Sequence, residues 1–233
     1  MMDVKLLTHT PEPDRVVATA ARLCYSPRAA EEVWEGFSPE KQAEFITKLS
    51  SYGHYSPFEH VSFTLAIAGV SRSLSHQLVR HRIASYSQRS QRYINEGTFQ
   101  VVVPPTVAGD LAAQEEFDRI MGQIHEAYNR LTKLGIPQED ARYLLPNACQ
   151  TQLIMTMNAR SLLHFFALRC CRRAQWEIRE LAWKVRSEVM KAAPLLFRES
   201  GPPCLVRGEC PEGPMGCGEP YKKAEVEADH GVA

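Results

Sequence analysis

Residues 61–82 read Val61-Ser-Phe-Thr-Leu-Ala-Ile-Ala-Gly-Val70-Ser71-Arg-Ser-Leu-Ser-His-Gln-Leu-Val-Arg80-His81-Arg82. The segment Val61 to Val70 is the longest apolar stretch of the chain, too short to cross a bilayer and suited to a mostly apolar strand. Ser71 to His81 can then be helical. The same succession recurs downstream. Thr151 to Thr156, with Ile154 between threonines, reads as a strand, Asn158 is a candidate N-cap, and Ala159 to Cys171 is a strongly apolar helix.

Working outward, Val4 to Thr8 reads as a short strand, and Pro11-Glu12-Pro13-Asp14 opens a helix whose apolar face runs from Val17 to Cys24. Ser38 is a candidate N-cap for a helix that stops at Gly53, which leaves His54 just beyond a helix end. Ser85 to Tyr93 is polar and suits a loop or irregular strand, and Phe99 to Pro104 reads as a strand ended by proline. The spacing of Leu111, Phe117, Ile120, Met121, Ile124 and Ala127 predicts one long amphipathic helix between Gly109 and Leu134. A short helix from Pro137 to Leu145 and an amphipathic one from Gln175 to Ala193 complete the elements. Strands and helices are interspersed without the regular alternation of a doubly wound fold. The expectation is an α+β single domain over residues 1–200, a mixed sheet packed with helices, followed by a Gly/Pro/Cys-rich C-terminal tail over residues 201–233.

The 233 residues are 44% hydrophobic and 23% charged, with 27 Lys+Arg against 27 Asp+Glu. That neutrality argues against nucleic acid as a partner, and the absence of a long apolar run argues against a membrane. The start, Met1-Met2-Asp3-Val4-Lys5, lacks the apolar run of a secretory signal, so the protein reads as cytoplasmic. Seven cysteines is an odd number, and Cys170-Cys171 adjacent in an apolar helix suit reduced thiols.

Against this even balance, two windows stand out. His60 to Asn95 and Ala141 to Trp176 contain no Asp, Glu or Lys, yet each carries five arginines. Arg72, Arg80, Arg82, Arg89, Arg92 and Arg142, Arg160, Arg169, Arg172, Arg173 therefore lack local ion-pair partners. Either carboxylates are packed in from elsewhere in the fold, or anionic ligands complete them. Two such windows favour a ligand site for several phosphates, and the hydroxyls of Ser85 and Ser90 beside Arg80, Arg82 and Arg92 are what phosphate oxygens need. Ser90 has no base close in sequence to make it a nucleophile, so it reads as a hydrogen-bonding group. His54, Glu59, His60, His76 and His81 do not form the His-x-x-x-His pair of a metal hydrolase, and Cys204, Cys210 and Cys217 are spaced too widely for a knuckle. No metal is expected.

The run Arg80-His81-Arg82-Ile-Ala-Ser85-Tyr-Ser-Gln-Arg-Ser90-Gln-Arg92 matches the R-H-R-x-x-S-x-x-x-x-S-x-R signature of flavin-dependent thymidylate synthases. The histidine loop His54-Tyr-Ser-Pro-Phe-Glu-His60 and the block from Asn158 through Arg169 to Trp176 also resemble that family, so the likeness covers roughly residues 1 to 200. The resemblance implies reductive methylation of dUMP to dTMP, with methylenetetrahydrofolate as carbon donor and bound FAD, reduced by NADPH, as hydride carrier. It implies FAD contacts from His54, Ser56, Arg80, His81, Arg82, Gln88, Asn158, Arg160 and His164. It implies nucleotide contacts from Gln77, Arg80, Gln88, Arg89, Ser90, Gln91, Arg92 and Arg142. Arg169 falls where the family places the arginine that activates the uracil ring. Arg169 also shares a helical face with Leu162, Phe165 and Phe166, which would project its charge from an apolar surface. A homotetramer with active sites shared between subunits is implied as well. Gln88 stands where some members carry Glu, and His164 where some carry Asn.

Overall fold

In a computed structural model, residues 1–230 are described, with side chains through Val226. Strands are β1 (Asp3–His9), β2 (Ser62–Ser71), β3 (Ser85–Gln88) and β4 (Gln150–Asn158). Helices are α1 (Pro13–Leu23), α2 (Ala30–Glu35), α3 (Pro39–Ser51), α4 (Arg72–Leu78), α5 (Pro105–Ala108), α6 (Leu111–Lys133), α7 (Gln138–Ala141), α8 (Ala159–Arg169), α9 (Trp176–Ala192), α10 (Pro194–Phe197), α11 (Pro203–Val206) and α12 (Lys223–His230). The fold is α+β, and the strand order in the sheet is β1-β2-β4-β3.

The sheet is antiparallel rather than mixed. Thr64 meets Thr156 through their hydroxyls at 3.0 Å, Ala159 N–H donates to the Val61 carbonyl, and Arg72 N–H donates to the Cys149 carbonyl. As β2 ascends, β4 descends, and antiparallel neighbours need no helical crossover of fixed hand. The expected strand from Phe99 to Pro104 does not form. Only Val101 bridges to Cys149, and Pro104 and Pro105 then remove the donors a ladder would need. Ser38 sits at the N-cap of α3 without bonding its backbone, because its hydroxyl goes to the Glu40 carboxylate instead.

Contacts group the chain into two compact units interleaved along the sequence, with β2 and β4 each running through both. The first comprises Met1–Asp3, Ile67–Arg80 and Tyr86–Ile154. Its long helix α6 starts at Asp110, whose carboxylate accepts from Ala113 N–H at 3.0 Å, and among its residues only Tyr128 is buried. Ser71 caps α4 by accepting from Leu74 N–H, and the Tyr86 hydroxyl donates to the Leu78 carbonyl at 2.9 Å, tying β3 to that helix.

The second unit comprises Val4–Ala66, His81–Ser85 and the chain from Met155 onward. A column of rings fills it: Phe63 of β2 meets Phe197 at 5.3 Å, Phe197 meets Phe166 at 5.8 Å, and Phe166 meets Phe165 at 5.9 Å, all fully buried. Such rings each contribute about 3–5 kcal/mol against truncation to alanine. The segment after α11 lies against α9, where Tyr221 packs edge-on to Trp183 at 5.5 Å. Glu225, in α12, bonds Arg172.

Gly69, inside β2, has φ +69°, and a Cβ placed on it would lie 2.4 Å from the Met1 carbonyl oxygen. Gly69→Ala therefore combines left-handed backbone strain with a backbone clash, and we expect a loss of about 1–3 kcal/mol. A urea-unfolding midpoint equal to that of the parent protein would refute this.

Candidate active site

In the second unit, α3 ends because Gly53 turns to φ +70° and His54 N–H reaches back to the Leu49 carbonyl. His54 is left exposed, its ring 5.9 Å from that of Tyr52. Ser56 begins a single 3-10 turn through His60, anchored by the fully buried Phe58. From the same turn Glu59 bonds Arg160 in the first turn of α8. Asn158 caps α8, its side-chain oxygen accepting from Ser161 N–H at 2.8 Å. His54, Ser56, Asn158 and Arg160 thus belong to one loop and the helix start it is bonded to.

At the other end of α8, Arg169 Nε donates to His81 Nε2 at 3.0 Å. That bond requires His81 to be neutral at Nε2, and its pKa is lowered to about 4 by burial, then by the charge of Arg169, then by His164. The His81 ring stands edge-on to Phe165 at 5.0 Å, extending the ring column, with His164 at 6.1 Å. Leu162, Phe165 and Phe166 are buried as the helical face predicts, and half-buried Arg169 has no carboxylate partner among the described residues. Arg82 lies one residue beyond His81, exposed and in no ion pair among the described residues.

Arg160 and His164 also line a cavity of about 300 Å³ with Tyr55, Ser200, Gly201 and Arg207. Sequence reasoning did not find those four. Ser200 is held by Arg186, whose Nε donates to the Ser200 carbonyl at 3.0 Å and to its hydroxyl at 2.8 Å. Arg186 is only 4% exposed and lies outside the acid-free windows, so charge patterning gave no signal for it.

In the first unit, α4 carries Gln77 and leads into exposed Arg80. Gln88 of β3 donates to the Thr151 hydroxyl at 3.2 Å, and Gln91 donates to Cys149 Sγ at 3.7 Å. Ser90 Oγ accepts from Arg92 N–H. Arg92 and Arg142 converge on one residue: Arg92 pairs with the Glu139 carboxylate at 2.9 Å, and Arg142 Nε donates to the Glu139 carbonyl at 3.1 Å. Arg89 lies 4.0 Å from Glu96, a weaker contact. Half-buried Arg72 has no carboxylate in pairing range among the described residues, and desolvation and nearby Arg142 lower its pKa.

The fold therefore divides the arginines of the two windows. Arg89, Arg92, Arg160, Arg172 and Arg173 receive Glu96, Glu139, Glu59, Glu225 and Glu212 from outside the windows or their margins. Among the described residues Arg72, Arg80, Arg82, Arg142 and Arg169 receive none. The pairs of Arg92 and Arg160 are about half exposed, and such pairs contribute only about 0–1 kcal/mol. All seven cysteines are free thiols; Cys149 is pushed up to about 11 and Cys170 higher still by burial, which suits neither as a nucleophile.

Residues 5–195 match the family model described as thymidylate synthase complementing protein. The chain is 53% identical to the flavin-dependent thymidylate synthase of Clostridium tetani, over 96% of each chain. It is 51% identical to the flavin-dependent thymidylate synthase of Geobacter sulfurreducens, over 97% of this chain and 96% of that one. Among solved structures it resembles a UMP/dUMP methylase, PolB, from Streptomyces cacaoi bound with 5-Br dUMP, with TM-score 0.74 and 26% identity, covering 85% of this chain and 93% of that one.

The neutral state of His81 carries a pH signature. An unfolded histidine titrates near 6.5 and the folded one at about 4, so between these values the unfolded chain binds a proton that the folded chain does not. Stability is therefore lost as pH falls from about 6.5 toward 4. We expect His81→Gln, which retains an acceptor, to lose less stability than the parent between pH 7 and pH 5 in urea titrations. Equal losses in both would remove His81 as the source.

Proposed function

The chain belongs to the flavin-dependent thymidylate synthase family, and on that premise we propose that it converts dUMP to dTMP. It is an enzyme of the methyltransferase kind. In this reading methylenetetrahydrofolate donates the carbon and NADPH the reducing equivalents. When bound, FAD supplies the hydride that reductive methylation requires.

The observation that carries the reading is Arg169. A guanidinium with one Nε–H given to a neutral imidazole, on a helix whose neighbouring side chains are buried rings, retains its whole positive charge and its outer fork. Directed at the uracil ring, that fork stabilises negative charge developing on the base, and because the donor is fixed beforehand its reorganisation cost is small. The neutral His81 contributes by accepting from Nε, which orients the guanidinium plane without weakening its charge.

The remaining residues bind and orient. Arg80, Arg82 and Arg160, with the free amide donor of Asn158 and the exposed side chains of His54 and Ser56, match what a pyrophosphate and a flavin ring need: cations without strong internal partners, and uncommitted donors. His164 and Gln88 complete the proposed flavin contacts. Arg92 and Arg142, already converged on Glu139, suit the dUMP phosphate, with Gln77, Arg80, Gln88, Arg89, Ser90 and Gln91 around the nucleotide. The solved methylase that this chain resembles was captured with 5-Br dUMP, which supports the substrate assignment. Cytoplasmic location and a homotetramer with shared active sites belong to the same reading. The half-covered apolar stripe of α6, with Phe117, Ile120, Met121 and Ile124 only part-buried, supports assembly.

The decisive experiment is to purify the protein, record its flavin absorbance, and follow dUMP-dependent release of the uracil C5 hydrogen with NADPH and methylenetetrahydrofolate. A colourless protein that FAD cannot reconstitute would overturn the assignment. We further expect Arg169→Lys to keep the fold and the flavin but to lose roughly 100-fold or more in turnover, because lysine keeps the charge without the planar fork. Near-normal turnover would take Arg169 out of this role.

A further inference from the structure

We propose that a groove between α1, α2 and α3 binds the phosphate-bearing adenosine half of NADPH, an inference that rests on the reductant assigned above. The groove encloses about 720 Å³, within the size range of ligand sites, and lies wholly in the second unit. Its rim carries Arg22 from the last turn of α1, Arg28 from the loop between α1 and α2, and Lys41 and Lys48 from α3. Two carboxylates, Glu32 and Glu44, also line it, so cations exceed acids by two in a chain that is neutral overall.

None of these six charged side chains is in an ion pair among the described residues. Partners are available to cations on these helices: Arg15 pairs with Glu12 at 3.1 Å and lies 4.2 Å from the Trp34 ring. The four rim cations instead line a concave surface that an anion can enter. The groove is not uniformly polar. Buried Val33 and the edge-to-face rings of Phe37 and Phe45, 5.8 Å apart, also line it. Phosphate-binding cations beside an apolar aromatic wall are the two halves of nucleotide recognition.

Position selects among the nucleotides of the proposed reaction. Lys48 Nζ is 6.0 Å from the Tyr52 ring, and Tyr52 is 5.9 Å from the ring of His54, a proposed flavin contact. The groove's Lys48 end is therefore joined through Tyr52 to the loop proposed to hold the flavin. A dinucleotide whose adenosine end lies in the groove can reach that loop from the Lys48 end. The residues assigned to dUMP belong to other elements, and the extra phosphate that separates NADPH from NADH is a dianion of the kind the four cations accept. The carboxylates of the folate co-substrate share this anionic character, so the experiment must separate the two.

The test uses the flavin-loaded holoenzyme of the parent and of the double variant Lys41→Glu/Lys48→Glu. Anaerobic bleaching of the flavin is measured against NADPH and against NADH. Turnover of dUMP with methylenetetrahydrofolate is measured after chemical reduction by dithionite. The expected result is a tenfold or greater rise in the NADPH concentration for half-maximal bleaching, a change under threefold for NADH, and dithionite-driven turnover at the parent rate. Arg28→Glu, in an exposed loop, should shift NADPH in the same direction and supplies the test should the double variant fail to fold. Unchanged NADPH dependence with normal dithionite-driven turnover would overturn the groove assignment alone. A rise confined to the half-saturating folate concentration would overturn it in favour of the folate. A parent protein that binds no flavin would overturn the functional reading and this inference together.

Discussion

A guanidinium keeps its charge at every pH at which a protein folds, so each arginine brought against apolar surface must be given a partner or left one side open to ligand and water. In this molecule that constraint orders the acid-free segments. Arg172 is covered by the Tyr221 ring at 4.1 Å and bonded to Glu225, and Arg173 is bonded to Glu212; these serve the attachment of the C-terminal segment. Arg169, three residues earlier, receives only a neutral imidazole. The difference between an arginine that holds the fold and one available to chemistry is here the identity of the acceptor, carboxylate or imidazole.

The imidazole meets that requirement only because of its surroundings. The column from Phe63 through Phe197, Phe166 and Phe165 ends edge-on against His81, removing water from the ring and favouring its uncharged form. Core packing and site electrostatics are therefore one arrangement. A loosened column would let His81 charge more easily, and a charged His81 would repel the arginine it now orients.

Much of this was legible in the sequence where the signal is local. The cap at Asn158, the stop at Gly53 and the apolar face of α8 follow from side-chain chemistry over a few residues. The absence of acids near ten arginines was legible too, but its resolution was not. Glu59 lies 101 residues from Arg160 and Glu225 lies 53 from Arg172, and pairings at such separations are set by tertiary packing alone. For the same reason Arg186 and Ser200 were not legible, nor was the groove lined by α1, α2 and α3. Phe99 to Pro104 has the composition of a strand, and the two prolines at its end decided against one.

The interleaving of the two units has a consequence during synthesis. Strand β2 is complete at Ser71, yet its neighbour β4 begins at Gln150, about 80 residues later. At roughly 5–20 residues per second, the ribosome leaves that apolar strand with one flank unpaired for about 4–16 seconds. An uncovered strand edge is a template for pairing with other chains. The edge of β2 that β4 will cover is thus open on the nascent chain until the second acid-free segment emerges.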